Sequence, residues 1–112
     1  MAFDQALADR VREVLAVQSD LSEKRMFGGI AFLLAGNMCC GVIEDDLVVR
    51  LSPEEAASAL HEEGVRPMDF TGRPMKGWIF VAPEVSEGDA ELASWVEAGV
   101  SFASSLPAKA KA

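Results

Sequence analysis

The sequence predicts an α+β fold: an antiparallel sheet of about five strands with helices packed on it, in the order α-β-β-β-α-β-β-α. Three observations predict it. Apolar strand-like runs cluster between residues 24 and 51 instead of alternating with helices. Ala35-Gly36-Asn37 and Glu44-Asp45-Asp46 separate those runs as tight hairpin turns do. Ser52-Pro53-Glu54-Glu55 then opens a helix, with Ser and Glu at the capping-box spacing and Pro at the first helical position. With 112 residues the chain makes one domain. It is expected over residues 1–107, with a disordered tail at 108–112.

The elements follow in order. Residues 3–17 read as a helix, since Phe3, Leu7, Val11, Val14 and Leu15 recur at helical spacing and Asp4, Asp9, Arg10, Arg12 and Glu13 fill the wet side. Ser19-Asp20-Leu21-Ser22 makes the turn after it. Residues 24–34 read as one strand, apolar on both faces, with Gly28-Gly29 permitting a bend. Strands at 38–43 and 47–51 complete a meander. The second helix runs to about Glu63 and stops at Gly64. A short extended arm at 66–71, a turn at Gly72-Arg73-Pro74 and a last strand at 75–81 follow. The third helix starts near Asp89, with Ser86 as a candidate cap. Its buried stripe is Leu92, Trp95, Val96, Gly99, Ala103 and Leu106. Gly99 costs about 1 kcal/mol inside a helix relative to Ala, so the spacing predicts a close crossing there.

Composition narrows the function classes. Half of the residues are hydrophobic and a quarter charged, as in ordinary globular domains. The amphipathic, acid-bearing N-terminus does not read as a signal peptide, and the apolar runs are short of a membrane span. A cytoplasmic location is the resulting expectation. The net charge of -8 opposes binding to nucleic acid, whose affinity rests on Lys and Arg neutralising phosphates. Cys39 and Cys40 are adjacent, and neighbours on a regular strand point to opposite faces, so a bridge between them would be strained and buried free thiols are expected.

Several blocks carry a family resemblance. They are Lys24-Arg25-Met26-Phe27-Gly28-Gly29-Ile30-Ala31-Phe32, Gly36-Asn37-Met38, Leu47-Val48-Val49-Arg50, and the stretch from Arg66-Pro67-Met68 to Gly77-Trp78. Together they resemble the N-terminal domain of the TfoX (Sxy) proteins over residues 5–106. The resemblance implies an α+β architecture similar to type III secretion chaperones. It also implies kinship with bacterial regulators of natural competence, which act with the cAMP receptor protein. The DNA-associating helical half of the longer members has no counterpart before Ala112, so a stand-alone single-domain member is implied. The family brings no catalytic residues to transfer.

Charge placement supplies the candidate site. Residues 64–82 carry Arg66, Arg73 and Lys76 against a single acid, Asp69, whereas residues 83–97 carry five acids and no base. If the sheet register brings strand ends together, Arg25, Arg50, Arg73 and Lys76 converge on an anion, for which the guanidinium fork is suited. The ordinary alternative is solvated charge or internal ion pairs of little consequence. Arg25, Arg50, Arg66, Arg73, Lys76 and Trp78 are the binding candidates. No residue qualifies as catalytic: Asp69 lacks a partner carboxylate, and His61, the lone histidine, sits late on the second helix, where a Cys-His pair is not expected. Cys39, Cys40 and His61 do not make a zinc pattern, and no phosphate-loop motif occurs, so neither a metal nor a cofactor is expected. The sequence thus reads as a non-enzymatic regulatory domain with a protein partner, which can include a second copy of itself. The alternative is a module for small molecules or anions, conceivably an enzyme, built on Arg73 and Lys76.

Overall fold

The computed structural model describes residues 4–26, 28–67 and 77–107. Alternating apolar residues on the strands place one antiparallel sheet at its centre. Strands β1 (Leu21–Met26), β2 (Gly29–Leu34), β3 (Asn37–Ile43), β4 (Asp46–Arg50), β5 (Val65–Pro67) and β6 (Trp78–Val81) line up in the order β1-β2-β3-β4-β6-β5. Helices α1 (Gln5–Leu15), α2 (Pro53–Ala59) and α3 (Asp89–Ser104) complete the described elements.

The α+β class holds, with one strand more than the sequence reading. The stretch 24–34 is two strands of a hairpin. Met26 pairs with Gly29, and the chain reverses between them with Gly28 at φ 75°. That left-handed conformation suits glycine, so the Gly-Gly pair makes a turn where a bend was expected. The hairpin also recruits Leu21 and Ser22 into β1.

Side-chain alternation gives the sheet two different faces. Ile30, Phe32, Val42, Leu47, Val49, Ile79 and Val81 form the main core with Leu7, Val11 and Leu15 of α1, Ala56 and Ala59 of α2, and Leu92, Val96 and Ala103 of α3. Burying this many branched side chains, each stabilising by about 1.5–3 kcal/mol, is the principal force holding the helices to the sheet. On the opposite face Val48 and Phe80 are buried, with Met38, Ile43 and Trp78 packed against them. No described helix contributes to that second cluster.

Helix ends follow local chemistry. Asp4, read from sequence as a solvent-side residue, caps α1 by accepting from the Leu7 amide at 3.1 Å. Ser52 caps α2 and accepts from the Glu55 amide at 3.2 Å, as its spacing predicts. Helix α2 ends at Ala59, four residues short of the expected boundary, and the chain turns through 60–64 to Gly64. Ser86 does not cap α3. It is buried, its hydroxyl donates to the Pro83 carbonyl, and Gly88 holds the cap position without a side-chain bond.

The close crossing expected at Gly99 is present. A Cβ there would lie 2.3 Å from the Cys39 carbonyl oxygen. The absent side chain lets α3 rest directly on β3.

Candidate functional site

The feature that distinguishes the second sheet face is a row of alternating cations and aromatics. Strand β6 presents Trp78 and Phe80, two residues apart and hence on the same side. Arg50 on β4 pairs with Trp78 in register, and Arg66 on β5 pairs with Phe80. Cross-strand partners share a face, so each guanidinium is delivered to a ring. The Arg50 Cζ is 5.1 Å from the Trp78 ring centroid, and the Arg66 Cζ is 5.0 Å from that of Phe80. Both are inside the range of cation–π attraction.

The two arginines differ in their other partners. Arg66 donates to the Asp46 carboxylate at 2.6 Å, so its charge is met internally. Arg50 is half-buried and also lies 5.4 Å from the Phe102 centroid on α3. Among the described residues no carboxylate pairs with it. A guanidinium close to two rings keeps its N–H donors in a fixed plane, and no described carboxylate neutralises it.

Three of the six sequence candidates, Arg50, Arg66 and Trp78, therefore share one face. Arg25 does not join them. The register Arg25–Ile30–Val42–Leu47 crosses the sheet in one row. That row puts Arg25 on the edge strand, three strands and about 14 Å from β4. It also lies on the helix side, whereas Arg50 is three residues beyond Leu47 and on the other side. The convergence of Arg25 with Arg50 is thus corrected by strand order. Arg73 and Lys76, like Asp69 and the Gly72-Arg73-Pro74 turn, lie outside the described residues.

Phe102 was absent from the sequence candidates. It falls seven residues after Trp95 and three after Gly99, on the flank of the α3 stripe. Helical spacing hints at its side, but only the seating of α3 on β3 brings it to Arg50.

The cysteines are buried free thiols, as expected, but they do not take the opposite faces of a regular strand. Phe32 pairs with Cys40 and Leu33 with Met38, so Cys39 is the extra residue of a β-bulge. The bulge cancels the alternation assumed for a regular strand. Both side chains join the main core, and the two Sγ atoms are 3.7 Å apart. The Cys39 thiol also meets the Phe32 carbonyl at 3.4 Å. The hydrogen bond to Cys39, followed by burial, pushes the Cys40 thiol well up, whereas the same hydrogen bond draws Cys39 down. His61 is exposed beyond the end of α2, apart from these partners.

Clefts elsewhere carry the opposite charge. One of about 420 Å³ lies between Glu62 and α3, lined by Glu91, Ser94 and Trp95. Another of about 300 Å³ is lined by Arg10, Glu13 and Asp89. Neither suits an anion. Among the described residues no cluster of three or more His, Cys, Asp or Glu is placed to hold a metal ion. No described helix is long and apolar enough to cross a membrane.

A single antiparallel sheet, helices packed on one side and cations stacked on aromatics on the other, defines a small α+β domain whose most distinctive surface chemistry lies on the strands. The sequence matches the family model of the TfoX N-terminal domain over residues 13–103, and the chain belongs to that family. No curated protein matches it, and no solved structure does.

Proposed function

We propose that this protein is a non-enzymatic regulatory domain that recognises another protein through the sheet face bearing Arg50, Trp78, Phe80 and Arg66. The observation that carries the reading is Arg50: a guanidinium lying over Trp78 and Phe102 with no carboxylate among its described neighbours. Arg and Trp are the residue types on which protein interfaces concentrate their binding energy, because each couples a broad apolar surface to directed hydrogen bonding. A partner carboxylate supplies the charge that no described carboxylate supplies to Arg50. Arg73 and Lys76, which precede Trp78 in the sequence, are the other basic residues of the proposal. The partner can be a second copy of the chain, and the cellular role in keeping with the family is regulation of competence in the cytoplasm.

The test compares the wild-type chain with Arg50→Glu in affinity capture from cell extract, alongside melting temperatures. A partner retained by the wild type and lost by the variant, with the variant still folded at the capture temperature, supports the reading. Identical capture by both overturns it. A thermal-shift screen with phosphates and nucleotides addresses the anion-binding alternative, which requires a ligand that stabilises the wild type and not Arg50→Glu.

A further inference from the structure

The bulge in β3 brings together the only two cysteines of the sequence. Both are fully buried, and their sulfurs are 3.7 Å apart, close to contact and short of a bond. A regular strand holds adjacent side chains on opposite faces, so this approach exists only because Cys39 is the unpaired residue. We propose that Cys39 and Cys40 are an oxidative modification site, at which a peroxide converts the dithiol into a vicinal disulfide.

The hydrogen bonds assign the roles. With the Cys39 thiol directed at the Phe32 carbonyl, the Cys40 proton faces the Cys39 sulfur. Loss of the Cys39 proton leaves a thiolate that Cys40 stabilises, so Cys39 is the attacking sulfur. It attacks one peroxide oxygen and the O–O bond breaks. The departing hydroxide takes up the released proton as water, leaving Cys39 as a sulfenic acid. The Cys40 sulfur then attacks the Cys39 sulfur, the S–O bond breaks, and hydroxide leaves with the Cys40 proton as a second water. Two thiols and one hydrogen peroxide give one disulfide and two waters; the sulfurs lose two electrons to the peroxide. Because both thiols are buried, the oxidant must be small, and local opening of the bulge sets the rate.

The same bulge supports α3. Gly99 rests on the Cys39 carbonyl with no room for even a methyl group. Drawing the sulfurs to bonding distance turns the Cys39–Cys40 peptide, and α3 must move with the carbonyl it sits on. Phe102, three residues further along α3, then changes its position against Arg50. This final consequence rests on the proposed role of Arg50; the disulfide does not.

The purified chain is treated with hydrogen peroxide under native conditions, denatured, alkylated with N-ethylmaleimide and weighed. The expected product is a monomer lighter by two hydrogens, with no alkyl group, restored by dithiothreitol. In Cys40→Ala the reaction should stop at a Cys39 sulfenic acid that dimedone traps. Full alkylation of both thiols after peroxide, oxygen addition without loss of hydrogen, or a disulfide linking two chains overturns the site, and the wild-type measurement decides this even if the variant fails to fold. For the coupling, the oxidised monomer should show altered tryptophan emission and weaker partner capture than the reduced one. Unchanged emission and capture in a fully oxidised monomer overturn the coupling alone.

Discussion

Arg50 and Trp78 face each other across β4 and β6, with the guanidinium carbon 5.1 Å from the ring centroid. Register fixes this relationship: the pair is the last step of the β4–β6 ladder, where the Arg50 guanidinium also reaches Phe102 of α3. Arg50→Ala is expected to cost about 0.5–2 kcal/mol through lost cation–π attraction. Arg50→Lys should recover part of that loss. Urea unfolding of the three proteins measures it, and equal midpoints would refute the contact.

The Gly99 crossing predicts a substitution against helix propensity. Gly99→Ala should gain about 1 kcal/mol of propensity. The new methyl meets backbone oxygen, however, and overpacking at a rigid contact costs about 1–3 kcal/mol. The net expectation is a lower melting temperature, read by circular dichroism; a higher one would mean that α3 is free to slide.

Removing the Ser52 cap should cost about 1 kcal/mol in Ser52→Ala, since the Glu55 amide loses its acceptor. Ser52→Asp should retain stability. Denaturant midpoints for the two variants decide the matter.

Between α1 and β1, the Arg12 guanidinium donates to both Glu23 oxygens at 2.8 and 2.9 Å. That hydrogen bond is the largest cause holding the Glu23 carboxyl below its ordinary value. A depressed folded pKa means that the contribution is complete above the ordinary carboxylate range and is lost as pH falls through the lowered value. The pair is partly exposed, so Glu23→Gln should cost only about 0.5 kcal/mol at neutral pH. The difference from wild type should close in acid. Paired urea titrations across that range test it, and a difference independent of pH would assign the effect to packing.

Much of the fold is legible along the chain because its signals are local. The Leu7, Val11 and Leu15 spacing, the Ser52 cap and the Ala35-Gly36 turn each depend on a few consecutive residues. Local reading fails where glycine or a bulge breaks the period. Gly28-Gly29 allows either a bend or a reversal, and only pairing with β1 selects the reversal. The extra residue at Cys39 has no counterpart in its own strand; it is defined by the count of residues on β2 opposite it.

The binding candidates show the same division. The sequence by itself determined the family, the α+β class and the presence of Arg50, Arg66 and Trp78 as candidates, because composition and motif order need no partner strand. Tertiary structure alone decided that β6 inserts between β4 and β5, which joins those three residues on one face. The same strand order removes Arg25, the seating of α3 on β3 brings in Phe102, and the bulge in β3 sets two sulfurs side by side. The physical reason is that side-chain neighbours in a sheet are chosen by strand order and register, which depend on long-range hydrogen bonding and burial and have no signature in the spacing of residues along one strand.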